Sequence, residues 1–312
     1  MFRRIFLFFA VNFAIVITIS LILQILGVGP YIRQYGLDIR SLAIFCLVWG
    51  MAGSFISLLL SRKIATYMFS IQIIDPRENR NPPSMKLYET VVKLAQRIGL
   101  PEIPQVGIFH SSQPNAFATG SSKRSSLVAV STSLLESLSD AEVEAVVAHE
   151  LAHIANGDMV TLTLLQGIMN AFVMFLARIC AFLFSGMGRD RDSRNSGSPI
   201  AFYLFTFLFE IIFMILGSMV VASFSRYREF RADRGSAKVL GARPMIGALK
   251  KLKAITEKAP SINDDRYKSI EALMINRPKT NRKWFDLFAS HPPIDKRIQA
   301  LQEFEKNAPM TI

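Results

Sequence analysis

Four long apolar runs constrain this chain more than anything else in its 312 residues. They cover residues 5–28, 41–60, 159–187 and 199–224. A hydrocarbon core about 30 Å thick takes about 20 helical residues to cross, so each run is long enough for a span. Inside lipid the backbone must bond to itself, so runs of this kind fold as helices. Composition agrees: 51% of residues are hydrophobic and the mean hydropathy is +0.31. The first run follows Arg3 and Arg4 like the core of a signal peptide, but it is too long for one and a second run follows directly. It is expected to be an uncleaved anchor. Cys46 and Cys180 both lie inside apolar runs, which suggests neither a disulfide framework nor a cysteine metal pair.

Two soluble segments remain, residues 62–158 and 225–312. Two spans separate them, so both lie on one side of the bilayer. Arg3, Arg4, Arg62, Lys63, Arg226, Arg228, Arg231 and Arg234 flank that side, against Arg33, Arg40, Arg189, Arg191 and Arg194 opposite. The positive-inside bias puts the soluble mass in the cytoplasm. The formal charge of +12 is then a juxtamembrane feature drawn to anionic headgroups. No nucleic-acid module accompanies it, so nucleic acid is not an expected partner. Arg178 and Glu210 fall at similar depths in the third and fourth runs, and an ion pair between them is expected because a lone charge in lipid is costly.

The chemistry-bearing motif is His149-Glu150-Leu151-Ala152-His153, which uses two of only four histidines. Residues four apart stack on one helical face, so both imidazoles can reach one metal ion. Glu150 stands beside them as a base for a metal-activated water. Ser139 with Glu142 reads as a capping box and Gly157 as a C-terminal cap, so the helix limits bracket the motif. Val143, Val146, Val147, Leu151 and Ile154 form its packing face, leaving the histidines turned aside from it. The competing reading is a pair of polar residues at the edge of a core.

A catalytic zinc site takes three protein ligands and keeps one position open. With no cysteine at hand, the third is a carboxylate, His110 or His291. Residues 225–233 offer Glu229 and Asp233 four apart, with Glu229 as ligand and Asp233 accepting the outer N–H of a histidine, His149. The same pattern also fits a solvated charged helix leaving a membrane span. Before the motif, residues 86–98 show helical periodicity ended by Gly99, and residues 106–109, 116–119 and 127–131 read as short strands. Residues 259–282 are polar and of mixed charge, as expected of a surface segment or lid.

The stretch from His149 through Asn156-Gly157-Asp158, followed by an apolar hairpin and the 225–233 segment, resembles the HtpX membrane metalloproteases, relatives of the prenyl-protein endopeptidases. The resemblance extends to Asn115-Ala116-Phe117-Ala118-Thr119-Gly120 and to Ser290-His291-Pro292-Pro293 with Arg297 beyond it. It implies one Zn2+ per chain on His149, His153 and Glu229, with Glu150 as catalytic base. Asn115, Ala116, Phe117 and Ala118 become the candidate edge on which an extended substrate pairs its backbone. His291 and Arg297 become candidate donors to the oxyanion of the tetrahedral intermediate, although a histidine satisfied near a Pro-Pro turn is equally open.

The expected fold is mainly α and integral to the membrane, with four transmembrane helices and a gluzincin-like zinc-protease domain containing a small β-sheet. Residues 1–61 hold two spans, 62–158 the first catalytic segment, 159–224 the transmembrane hairpin and 225–312 the second catalytic segment. Because that hairpin joins the motif helix to the Glu229 helix, the metal site is expected near the membrane surface. The expected activity is endopeptidase cleavage of misfolded or damaged membrane proteins, or unfolded polypeptides, at the cytoplasmic face of a bacterial inner membrane. The alternatives are a prenyl-peptide processing protease and a metal-stabilised membrane scaffold or transporter without catalysis.

Overall fold

A computed structural model describes residues 38–78, 81–186, 199–258 and 288–307. The expected first span and the 259–282 segment lie outside the described residues. In chain order the elements are α1 (Ile39–Met68), β1 (Gln72–Ile73), α2 (Pro82–Ile98), β2 (Gln105–Phe109), β3 (Ala116–Gly120), β4 (Ser126–Ser131), α3 (Thr132–Ser137), α4 (Asp140–Asn156), α5 (Asp158–Gly186), α6 (Pro199–Leu240), α7 (Ala242–Lys258) and α8 (Ile294–Asn307). The described residues divide into two units, one drawn from residues 1–57 and 161–221 and the other from residues 58–160 and 222–312.

The first unit is built from α1, α5 and the apolar part of α6. All three helices are long and apolar enough to cross a membrane. Trp49, Leu204 and Phe207 are exposed on them, which suits helices solvated by lipid rather than water. Small residues let α1 approach α5: a Cβ on Gly50 would stand 2.5 Å from the Ala171 nitrogen, and one on Gly167 2.5 Å from Met51 Sδ. Arg178 donates to Glu210 at 3.0 Å and to the Met174 carbonyl at 3.0 Å, so the expected pair joins α5 to α6. Cys46 packs with Phe175 and Ile179 in the apolar interior.

The second unit holds a four-stranded sheet in the order β1-β2-β4-β3. β2 and β4 are parallel, with Val106 opposite Val128, while β3 runs antiparallel to β4, with Phe117 opposite Ala129. Alternation sorts the side chains by face. Val106, Ala116, Val128 and Val130 join Leu94 of α2 and Val147, Leu151 and Ile154 of α4 in the main core. Phe109, Phe117, Leu127 and Ala129 face the other way, onto Phe69 and Ala65. The sequence does not mark the two-residue strand β1, and α2 begins at Pro82 rather than residue 86 because a proline suits the first helical turn.

Helix α4 carries the motif within the limits its end signals set. The Glu142 carboxylate accepts from the Ser139 backbone N–H at 2.8 Å and from its hydroxyl at 2.7 Å. Gly157 closes the helix at φ 68°, a left-handed conformation that glycine adopts without strain. The polar end of α6 packs on α4 where Gly235 faces Ala152: a Cβ on Gly235 would lie only 2.6 Å from the Ala152 Cβ. Ser236 Oγ donates to the Ala145 carbonyl at 2.8 Å one residue further on. This contact, sealed by α7 and α8 through Met245, Leu249 and Leu301, holds the acids of α6 against the histidines of α4.

Candidate metal centre

His149 and His153 from α4 and Glu229 from α6 bring one ligand atom each to within 4.8 Å of one another. His149 Nε2 and His153 Nε2 are 3.2 Å apart, His153 Nε2 is 3.2 Å from Glu229 Oε1, and His149 Nε2 is 3.5 Å from Glu229 Oε2. Ligands about 2.0–2.1 Å from a tetrahedral zinc stand roughly 3.3–3.4 Å apart, and each histidine nitrogen has a Glu229 oxygen near that distance, Oε2 for His149 and Oε1 for His153. The donor set of two imidazoles and one carboxylate also suits zinc chemically. Among the described residues this is the one group of three such donors.

Each donor is held from behind. His153 Nδ1 lies 2.8 Å from Asp158 Oδ2, and Asp158 is fully buried at the start of α5 and paired with Arg231. His149 Nδ1 lies 3.0 Å from Asp233 Oδ1, although the contact is bent away from the N–H direction. Outer carboxylates of this kind fix the tautomer and ring orientation of a ligand histidine. Asp158 belongs to the stretch that carries the family resemblance, but nothing in its spacing of five residues from His153 assigned it this contact.

Arg297 and His291 complete the enclosure. Arg297 is fully buried in α8; its Nε and Nη2 donate to Asp233 at 2.8 and 2.6 Å, and its Nη1 is 3.6 Å from Glu229 Oε2. As a candidate donor to a substrate oxygen Arg297 has no exposed surface, and its contacts suit it to holding two acids in place. A guanidinium sealed against two acids positions those acids. His291 Nδ1 lies 2.8 Å from Glu229 Oε2, and its side chain is 23% exposed, so it remains partly open to solvent. Asn115 is buried at the start of β3, its backbone N–H bonded to Ser131 Oγ at 2.8 Å and its Oδ1 without a partner among the described residues. Among the described residues β3 is an edge strand, bonded to β4 on one side. His110 is exposed and far from the other donors in role, taking no part in the group.

The charges explain why these groups tolerate burial together. Burial alone would raise the Glu229 carboxyl, but His291 and His153 outweigh it and hold it well below the usual carboxylate range. Asp233, also opposed by burial, is brought down to about 2 by Arg297. Burial opposes charge on His153 too, yet Glu229 and Asp158 push it up to about 10 in the metal-free protein. Glu150 differs: burial raises it, and the neighbouring histidines only partly offset the effect. A carboxyl with raised proton affinity beside a ligand pair is suited to accept and return a proton.

Comparison with known proteins places the chain. Residues 83–305 match the model of Peptidase family M48. A Protease HtpX homolog of Bacillus velezensis is 44% identical over 305 residues, covering 96% of this chain and 99% of that protein. The Protease HtpX of Chromohalobacter salexigens is 46% identical over 300 residues, covering 96% and 98%. The crystal structure of S. mikatae Ste24p shares the fold, with a TM-score of 0.56 at 18% identity over 91% of this chain. This chain spans 64% of the Ste24p chain. The chain therefore belongs to peptidase family M48 and, within it, to the HtpX proteases.

Proposed function

We propose that this membrane metalloprotease is a zinc endopeptidase in which His149, His153 and Glu229 hold the metal and Glu150 carries the proton. The observation that carries the reading is the approach of three donor groups: His149 Nε2 and His153 Nε2 are 3.2 Å apart and lie 3.5 and 3.2 Å from Glu229 Oε2 and Oε1, close to the ligand spacing of a zinc site. In this reading the soluble part is a gluzincin-like domain, and residues 5–28 add a fourth span to the three apolar helices.

When bound, zinc supplies Lewis acidity that polarises the scissile carbonyl and makes water easier to deprotonate. Glu150 takes the proton from the attacking water and returns it to the leaving amine, a double use favoured by its raised proton affinity. His291, partly exposed beside Glu229, is placed to donate to the oxygen on which negative charge develops. Arg297 and Asp233 keep Glu229 and His149 aligned throughout. The β3 edge from Asn115 to Ala118 receives an extended substrate by backbone pairing, which requires little of the substrate's side chains.

The substrates under this proposal are misfolded or damaged membrane proteins, cut at the cytoplasmic face of a bacterial inner membrane. Support comes from the arginines and lysines that flank the soluble segments and from tolerance of sequence at a strand edge. The test is metal removal and return with the full chain in detergent. Chelation is expected to abolish cleavage of an unfolded polypeptide, with zinc restoring it; full cleavage at a zinc content far below one per chain would contradict the proposal.

A further inference from the structure

Apart from the metal centre, the second unit carries a cleft of about 640 Å³ between the C-terminal half of α4, the end of α2 and the polar end of α6. Its walls are basic. Arg231, Arg234 and Lys238 line it from α6, and Arg97 from α2. Arg231 is committed to Asp158. Among the described residues, Arg97, Arg234 and Lys238 have no carboxylate partner, and all three are exposed. Its floor is apolar, made by Ala152, Ile98, Phe230 and Val239. Unpaired cations over an apolar floor suit an amphiphile with an anionic head better than a free ion, which would gain nothing from the floor.

The helix geometry says which amphiphile. Tyr227, Arg231, Arg234 and Lys238 follow one another on α6 at intervals of four, three and four residues, so they form a stripe along one face. Tyr227 is 65% exposed at one end of the lining. It stands three residues beyond the apolar run that ends at residue 224, a rise of roughly 4.5 Å along one continuous helix. Amphipathic rings favour the headgroup layer that borders a membrane-spanning run. The stripe runs from Tyr227 along the lining of the cleft.

We infer that this cleft binds the phosphate-bearing headgroup of an anionic phospholipid, with the phosphate on Arg234, Lys238 and Arg97 and the glycerol and upper acyl carbons on the apolar floor. The site is separate from the metal centre and does not depend on the peptidase reaction. Arg231 links the two, because it lines the cleft and holds the acid behind His153.

The test uses the full zinc-loaded chain in detergent, titrated with a short-chain phosphatidylglycerol and followed by thermal shift and native mass spectrometry. Short-chain phosphatidylcholine and inorganic phosphate are the comparison probes. Saturable binding of phosphatidylglycerol is expected, with affinity falling on the order of tenfold or more in the Arg234→Ala/Lys238→Ala variant. The Arg234→Lys/Lys238→Arg variant, which keeps the charge, should retain most of the affinity, and zinc content should be unchanged in both. Equal binding of phosphatidylcholine, or no loss in the alanine variant, would overturn the site. Inorganic phosphate binding as tightly would overturn the lipid assignment, as would an acidic peptide displacing phosphatidylglycerol at comparable concentration.

Discussion

Arg297 grips Asp233 through two hydrogen bonds, of 2.8 and 2.6 Å, and both residues are buried. Asp233 in turn faces His149, so a residue of the last helix orients a donor of the motif helix. Removing one partner of a buried pair leaves the other charge uncompensated, which costs about 3–5 kcal/mol. Arg297→Ala is expected to lower the unfolding temperature sharply and weaken zinc retention. Arg297→Lys should recover part of the stability but not the two-point grip. Thermal unfolding with zinc analysis checks this; an alanine variant of normal stability and zinc content would remove Arg297 as the positioning residue.

Asp158 gives a second, independent prediction. It holds His153 at 2.8 Å from a fully buried position. Losing an outer partner of this kind typically lowers metal affinity about 10–100-fold. Asp158→Asn should therefore release zinc to a competing chelator at a correspondingly lower concentration. Unchanged competition would mean that His153 needs no such support.

The helix crossing at Gly235 is testable by a pair of substitutions. Glycine to alanine in a helix interior normally gains about 1 kcal/mol. Here the new Cβ would sit 2.6 Å from Ala152, and overpacking costs about 1–3 kcal/mol. Gly235→Ala is expected to lower the unfolding temperature, and Ala152→Gly in the same chain to restore much of it. A raised unfolding temperature in the single variant would show that the crossing is looser than this.

Zinc must compete with protons for its ligands. In the metal-free protein burial opposes charge on His153, but Glu229 and Asp158 push it up to about 10, and His149 is likewise raised, burial being outweighed by Asp233 and Glu229. A ligand that carries a proton must lose it to bind metal, so apparent zinc affinity should climb with pH through neutrality, by on the order of tenfold per unit for each proton displaced. The sign reverses for the metal-free fold. Its stabilisation from protonated His153 is complete below the unfolded value near 6.5 and is lost as pH rises towards about 10. Calorimetric zinc titrations between pH 6 and 9, a range of roughly three units chosen to straddle the histidine value, check the first claim; a flat affinity profile would contradict it.

The sequence made local features legible and left closure obscure. The motif helix could be bounded because Ser139, Glu142 and Gly157 act within a few residues of it. Strands β2, β3 and β4 showed in runs of β-branched and aromatic residues, whereas β1 is two residues long and exists through pairing with β2. Glu229 and Asp233 stood out as acids four apart, yet their alternative as a solvated helix could be decided only by the packing of Gly235 on Ala152. Asp158 and Arg297 act through partners distant in sequence or around a helix end, so no periodicity marks them. The cleft at Arg234 needed three helices in place before its charges converged.

The central claim is that Glu150 moves the proton while His149, His153 and Glu229 hold the metal. Glu150→Gln in the purified full chain tests it most directly, because the amide keeps the shape and loses the base. The prediction is about one zinc per chain, as in the unmodified protein, with cleavage of an unfolded membrane polypeptide reduced by at least the roughly 10²–10⁴-fold that general-base loss removes. Undiminished cleavage with zinc in place would contradict the account.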